Sequence, residues 1–281
     1  MDCRSGARRR RLPRGGNGEG RHADHSSLDR QQVPGGREPA RAAAQCQRKG
    51  LHVGQSVPAG SVGVRILAVD TTGETGSIAL VDGCRVEQGG VGEEVTLHSP
   101  EGFGHTLFPA IEQLLARHGL SVASLDGFAA ASGPGSFTGV RVGLTAVKGL
   151  AEASGRKVVA VSNLQALAFF GRRALRAVAI DARRGEVYGA VYDSALTAVC
   201  AEVVTTLPAW LSSLPKGELE FITRGLELER SRTEAPPAMA GAIGRIAREK
   251  FLRGEARDPA GIDANYVRRS DAELFWKETQ R

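Results

Sequence analysis

The sequence contains few of the residues that build disulfide-stapled or membrane-spanning proteins. Its 281 residues include four cysteines, and none of them has the CxxC or CxH spacing of a metal site. This pattern excludes a disulfide framework and is typical of a reducing compartment, so we expect a cytoplasmic protein. No apolar run is long enough to cross a bilayer, and we expect no membrane interaction. With 41% hydrophobic and 24% charged residues, the chain has the composition of a globular protein.

The excess of positive charge is confined to the first part of the chain. Residues 1–63 contain 12 Lys and Arg against 5 Asp and Glu, a net charge of +7, whereas the rest contains 25 against 26. Sequence-independent affinity for RNA comes from neutralised phosphates, so the near-neutral body should not bind RNA strongly by itself. The leader 1–63 shows no sustained apolar periodicity and is predicted to be disordered.

Three interpretations of this leader remain open: a nucleic-acid-binding arm, a targeting peptide, or a segment without a role. It has no apolar core for a secretory signal, and its acidic residues are unusual for a transit peptide. We expect the third interpretation, in which the natural chain begins near Val62 or Val64.

Hydrophobic periodicity predicts an α/β fold with a mixed sheet. A strand over 65–70 ends on Asp70, and a second Asp-terminated strand over 177–181 suggests two related lobes. Further strands are predicted over 76–81, 85–91, 125–131, 157–161 and 186–192, and helices over 104–118, 138–153, 163–170 and 238–252. Residues 265–268 are predicted to dock as an extended tail.

The first candidate motif is Asp70-Thr71-Thr72 with a glycine turn behind it. A carboxylate at a strand end, followed by hydroxyls, can orient a metal or a phosphate. The same residues also suit a plain β-hairpin in which Asp and Thr satisfy the turn amides. The sequence leaves both interpretations open.

The second motif is the loop Ser132-Gly-Pro-Gly-Ser-Phe-Thr-Gly-Val-Arg141, between a predicted strand and a predicted helix. It is neither a Walker A loop, a dinucleotide fingerprint nor a nucleophile elbow, because the required residues are absent at each position. What remains is a tight loop with Thr138 as the expected helix N-cap and Arg141 in the first turn. The following helix contains Gly139, Gly143 and Gly149, which favours close packing against a neighbour within the lobe or in another subunit.

The histidines of the body do not have metal-ligand spacing. His98 and His105 are seven residues apart with Pro100 between them, which is not a helical ligand pair. We therefore predict no metal site. The segment from Asp181 to Tyr188 is predicted to be a hairpin with an Arg-Gly turn.

Three segments, RILAVDT at 65–71, GPGSFTGVRVG at 133–143 and IDARRGEVY at 180–188, resemble the signature segments of the TsaB (YeaZ) family in order and spacing. The resemblance covers residues 64 to 278. It implies an ASKHA fold (the actin, sugar-kinase and Hsp70 type) with two RNase-H-like lobes, the second degenerate. We expect the lobes at 64–172 and 173–270, followed by a tail at 271–281.

The resemblance also implies a function. Members of this family are non-catalytic scaffold subunits that pair with a TsaD-type catalytic subunit and a TsaE-type ATPase. The complex places threonylcarbamoyl on ANN-decoding tRNAs, giving t6A. The family implies homodimers in isolation, and contact with tRNA only through the complex. TsaD-type metal chemistry uses two histidines one helical turn apart, whereas His105 has Glu101 and Pro109 at those distances.

The family also guides the choice of site residues. We expect no required cofactor, although a vestigial site allows ATP or ADP at Asp70, Thr71, Thr72, Gly133, Pro134, Gly135 and Ser136, or at the complex interface. The residues expected to form a structural signature loop are Phe137, Thr138, Gly139 and Arg141. The candidates for the partner interface are His105, Phe108, Ile111, Leu115, Val140 and Leu144.

Three alternatives stand beside the scaffold. An ATP-dependent small-molecule kinase of the same fold would need a second-lobe phosphate loop, where Arg183 and Arg184 stand instead. A metalloprotease, as the family's peptidase M22 label suggests, lacks a set of metal ligands. An RNA-binding module would have to use the arginine-rich leader.

Overall fold

The computed structural model describes residues 63–83 and 90–268. These residues form ten strands and five helices of four residues or more. The strands are β1 (Arg65–Asp70), β2 (Thr75–Asp82), β3 (Val91–His98), β4 (Gly127–Ala131), β5 (Lys157–Val161), β6 (Leu175–Asp181), β7 (Glu186–Asp193), β8 (Ala198–Thr206), β9 (Glu220–Arg224) and β10 (Thr233–Glu234). The helices are α1 (Leu107–Arg117), α2 (Phe137–Ser154), α3 (Asn163–Ala168), α4 (Leu207–Ser213) and α5 (Ala240–Leu252).

The strands form two five-stranded sheets that repeat one topology. The first sheet has the order β3-β2-β1-β4-β5, and the second has the equivalent order β8-β7-β6-β9-β10. In each sheet the first three strands of the repeat are antiparallel and the last two run parallel to the first. The two related lobes and the mixed α/β fold predicted from the sequence are therefore confirmed.

The second repeat is the reduced one. In the first, α2 connects β4 to β5 across the sheet, with 18 residues. In the second, the connection from β9 to β10 contains no regular helix, and β10 has only two residues. The second lobe is degenerate, as expected, because this crossover and its last strand are shortened.

The core lies in three layers separated by the two sheets. Helices α1 and α2 cover the outer face of the first sheet, and α4 covers the outer face of the second with Trp210. Helices α3 and α5 fill the layer between the sheets, with α5 against the first sheet and α3 against the second. The last helix of each repeat, α3 or α5, thus packs on the sheet of the other repeat, so the two lobes share one core. The predicted lobe boundary at 172/173 stays a prediction.

Several predicted elements need correction. The third strand was expected over 85–91, but it spans Val91–His98, and residues 85–89 lie outside the described part. It is an edge strand with exposed Glu and Thr side chains, so its apolar signal is weak. Strands β8 to β10 and helix α4 were not predicted. Helix α2 is capped by Ser136, whose hydroxyl accepts from the Gly139 amide, and not by Thr138.

Some predictions fall outside the described residues. These are the leader, apart from Gly63, the tail 271–281, and three of the four cysteines. Within the described ranges, no helix is long and apolar enough to cross a membrane.

The glycines of α2 pack against the backbone that follows β1. A Cβ atom on Gly139 would lie 1.9 Å from the Thr71 carbonyl oxygen, and one on Gly143 would lie 2.6 Å from the Thr71 hydroxyl. A Cβ on Gly149 would meet no atom within 4 Å. The close neighbour suggested by the glycine pattern is therefore inside the same lobe for the first two positions.

We predict opposite effects for two alanine substitutions in this helix. Gly139→Ala should lower the free energy of unfolding by about 3 kcal/mol, because the new methyl group has to displace backbone. Gly149→Ala should raise it by about 0.5–1 kcal/mol, since alanine favours an exposed helix position. Urea denaturation of both variants measures this difference. Equal effects at the two positions would contradict the packing.

Candidate functional site

A cleft of about 1550 Å³ lies where strands of both sheets end. The ends of β1, β4 and β6 all point into it, as is common for ligand sites in α/β sheets. The segments that line it are 71–75, 99–104, 133–142, 180–184 and 265–268, together with Tyr188, Arg224, Gly225 and Pro237.

Asp70 lies beneath this cleft with all of its side chain buried. Its Oδ1 accepts hydrogen bonds from the Thr72 amide at 2.9 Å and the Thr72 hydroxyl at 2.6 Å. Its Oδ2 lies 3.5 Å from Nη1 of Arg224, which belongs to β9 in the second sheet. The carboxylate thus closes the turn, as in the hairpin interpretation, and forms an ion pair between the lobes.

The glycine-rich loop is fixed to the same turn. The Ser136 amide donates to the Thr72 carbonyl at 2.7 Å, and the Thr71 hydroxyl donates to the Gly139 carbonyl at 2.6 Å. Gly133 has a φ of 100°, a conformation that glycine adopts readily. The structure therefore brings together the predicted vestigial-site residues Asp70, Thr71, Thr72, Gly133, Pro134, Gly135 and Ser136.

Asn163 completes this arrangement and was missed by the sequence analysis. It is fully buried, and its side-chain Oδ1 accepts from the main-chain amide of Gly133 at 3.2 Å. Its main-chain amide donates to the Gly133 carbonyl at 2.8 Å. Its Nδ2 donates to the Thr72 hydroxyl. A polar Ser-Asn pair directly after an apolar strand was the available signal.

Several loop amides that would hold a phosphate already have protein acceptors. Gly133 donates to Asn163, Ser136 to Thr72 and Gly139 to the Ser136 hydroxyl. A phosphate loop needs such amides to point at the anion. Nucleotide binding here stays a prediction.

The segment 265–268 bridges the two lobes. The Asn265 amide donates to the Ser132 carbonyl at 2.8 Å, and Arg141 Nε donates to the Tyr266 hydroxyl at 3.1 Å. Arg268 donates to the Ala182 carbonyl at 2.9 Å and pairs with the Glu186 carboxylate. The predicted docking of residues 265–268 is confirmed.

The hairpin in the second lobe has the predicted form. Asp181 is exposed, and its Oδ1 accepts from the Arg183 amide at 2.8 Å. Arg183 and Arg184 have φ angles of 66° and 57°, and Gly185 follows with 76°. This carboxylate therefore closes a tight turn at the rim of the cleft.

The histidines are dispersed. His105 is exposed in the turn before α1, and His98 ends β3. His118 lies 2.9 Å from a Glu93 oxygen, and Arg117 lies 2.7 Å from the other. Arg117, and after it His118, hold the pKa of Glu93 below its usual value. No group of three or more metal-ligating side chains occurs in the described ranges.

The partner-interface candidates divide into two groups. Phe108 is 51% exposed, and His105 is also exposed. The other four, however, pack inside the first lobe, so their side chains contribute to its core and present no free apolar surface: Ile111, Leu115, Val140 and Leu144. Their role at a partner interface stays a prediction, and each pair lies on the face of its helix that packs within the first lobe, Ile111 and Leu115 on α1 and Val140 and Leu144 on α2.

Comparisons with known proteins agree with this geometry. A family model described as "TsaD: tRNA N6-adenosine threonylcarbamoyltransferase" matches residues 90–251. The "tRNA threonylcarbamoyladenosine biosynthesis protein TsaB" of Bacillus subtilis is 32% identical over 232 residues, covering 77% of this chain and 99% of the relative. The structure of YeaZ from Pseudomonas aeruginosa matches with a TM-score of 0.60 at 28% identity, covering 72% of this chain and 99% of that one.

A partial likeness extends to a catalytic protein. The "tRNA N6-adenosine threonylcarbamoyltransferase" of Sorangium cellulosum is 36% identical over 123 residues, which cover 39% of this chain and 35% of that protein.

Two equivalent mixed sheets around a common cleft define a two-lobed α/β protein of the ASKHA class. Within that class the chain belongs to the TsaB (YeaZ) family, since it matches the B. subtilis relative over nearly its whole length.

The interlobe ion pair gives a test by substitution. Arg224→Met leaves Asp70 buried without a cation and should lower the free energy of unfolding by about 2 kcal/mol. Asp70→Asn in the same chain should recover part of that loss, so that the two changes are not additive. Arg183→Met is the matched control, because its pair with Glu74 is at the surface and should contribute little. Chemical denaturation of Arg224→Met, of Asp70→Asn alone, of the double variant and of Arg183→Met measures the coupling, and additive losses would contradict it.

Proposed function

We propose that this chain is the scaffold and activating subunit of a t6A-forming complex. A role in t6A biosynthesis follows from its family, whose B. subtilis member carries that name. The finer proposal is that it pairs with a TsaD-type catalytic subunit, and with a TsaE-type ATPase, in the cytoplasm. It would form homodimers alone and meet tRNA through the complex.

The observation that carries the non-catalytic role is the state of Asp70. A catalytic carboxylate needs a lone pair directed at substrate, metal or water. Here one oxygen accepts two hydrogen bonds from Thr72 and the other faces Arg224. The carboxylate at the end of β1 is thus occupied in closing the turn and in holding the two lobes together.

The remaining residues do not fit the metal that TsaD-type chemistry implies. His105 is in a turn, with Glu101 and Pro109 at the distances where a second helical histidine would stand. An exposed single imidazole without nearby ligands is a poor metal site. The chain is therefore proposed to supply structure to a partner that holds the metal.

The kinase alternative has less support. Its second-lobe phosphate loop would occupy the Asp181 hairpin, where Arg183 and Arg184 extend and the Asp181 carboxylate accepts from backbone. We propose that the subunit requires no nucleotide, and that any ATP or ADP at the loop after β4 binds weakly because the amides of Gly133, Ser136 and Gly139 already have protein acceptors.

A reconstituted assay tests the proposal. The full chain, a TsaD-type subunit and a TsaE-type subunit of one organism are incubated with tRNA, threonylcarbamoyl adenylate and ATP. We expect co-elution with the TsaD-type subunit, and t6A only when this chain is present. Formation of t6A at the same rate without this chain would refute the scaffold role. ATP turnover by this chain alone with a small substrate would favour the kinase.

Phe108 allows the partner surface to be located. Phe108→Asp on α1 should reduce co-elution with the TsaD-type subunit at least about tenfold, since a buried interfacial aromatic commonly contributes that much. Val203→Asp on the edge strand β8 is the control, because Val203 is 39% exposed on the second sheet. If both variants bind the TsaD-type subunit equally well, the partner surface does not include Phe108.

A further inference from the structure

An exposed aromatic cluster lies at the mouth of the cleft. The rings of Phe137 and Tyr266 are 5.7 Å apart with an interplanar angle of 37°. They are 44% and 47% exposed, in a chain with only 5% aromatic residues. Large exposed apolar groups that cluster usually mark a binding site.

Arg141 belongs to the same cluster, which we call the aromatic platform. Its guanidinium carbon lies 3.8 Å from the centre of the Phe137 ring, and its Nε donates to the Tyr266 hydroxyl. Three other arginines of the cleft have carboxylate partners: Arg183 with Glu74, Arg224 with Asp70 and Arg268 with Glu186. Among the described residues Arg141 has only these aromatic partners, so its charge is not neutralised by an acid.

Anchoring the tail does not explain the platform. Asn265 already donates to Ser132 and to Glu202, and Arg268 binds the hairpin of the second lobe. These bonds fix the backbone on both sides of Tyr266. The exposed parts of Phe137 and Tyr266, with Arg141 stacked on the Phe137 ring, are therefore available to a ligand.

We infer that the aromatic platform binds one unpaired nucleotide of an RNA. Aromatic and guanidinium planes stack with any base, and the arginine charge attracts the adjoining phosphate. Because Arg183, Arg224 and Arg268 are paired with carboxylates, Arg141 is the cleft arginine whose charge is placed beside the rings to meet that phosphate.

That this RNA is the tRNA substrate rests on the proposed function. The chain would then contact tRNA directly within the complex, in addition to supporting the catalytic subunit. Because a single stacked base supplies limited affinity, the contact positions tRNA that other subunits also hold.

Fluorescence of a base analogue tests the platform. The full chain is titrated into a single-stranded RNA oligonucleotide containing one 2-aminopurine, whose emission reports stacking and not phosphate contact by the basic leader. Phe137→Leu and Tyr266→Leu should each lower the RNA affinity measured by this fluorescence about tenfold. Tyr266→Phe keeps the ring and should bind like the wild type. Val199→Ala, which changes an exposed apolar residue on β8, is the control.

Three outcomes would overturn the inference. The first is Phe137→Leu and Tyr266→Leu binding RNA as tightly as Val199→Ala. The second is AMP displacing the RNA at an equal concentration, which would indicate a free-nucleotide site. The third is loss of co-elution with the TsaD-type subunit while RNA binding is unchanged, which would make the platform a protein contact.

The t6A assay separates this inference from the proposed function. If the wild-type chain binds RNA through the platform but does not support t6A formation, only the scaffold role is refuted. Full t6A support by both leucine variants, with unchanged stacking, would refute only the platform.

Discussion

The architecture of the first lobe depends on the contact between the Thr71-Thr72 backbone and the start of α2. Gly139 lies so close to the Thr71 carbonyl that no side chain fits between them, and the Thr71 hydroxyl donates back to the helix. This contact sets where α2 begins and where the loop after β4 passes. Asn163, buried at the start of α3, joins the loop to Thr72 from the other side. Through these bonds the turn after β1, the start of α2 and the start of α3 share one polar centre.

The cost of burying that polar centre explains its completeness. Buried amides, hydroxyls and a carboxylate each lose several kcal/mol of hydration unless a partner replaces water. The side chains of Asp70, Thr72 and Asn163 all have partners, and Arg224 supplies the cation that pairs with Asp70. This occupancy is the physical basis of the proposed non-catalytic role. Arg224 comes from β9 of the second lobe, so its pair with Asp70 at the end of β1 joins the two lobes.

Much of the fold was predictable because its central strands are short apolar runs with clear ends. Strands β1 and β5 were predicted with their true bounds, and the two Asp-terminated strands indicated the internal repeat. The elements that were missed have weak local signals: β3 and β8 are half-exposed edge strands, and β10 has two residues. In the site, the short-range partners Asp70 and Thr72 were found. Asn163 and Arg224 were not, since their roles depend on pairings 91 and 154 residues apart.

The contacts between the lobes favour a fixed arrangement over an opening and closing one. Glu202 on β8 accepts from Ser162 at the start of α3, from the Tyr192 hydroxyl at 2.6 Å and from Asn265 in the tail. Burial, and then the nearby Glu202 charge, raise the pKa of Tyr192, so its hydroxyl stays a donor at neutral pH. Separating the lobes would break this cluster and would leave Asp70 buried without Arg224. An enzyme that closes around its substrate needs lobes that part at modest cost, whereas a subunit that presents constant surfaces to a partner gains from lobes that stay together.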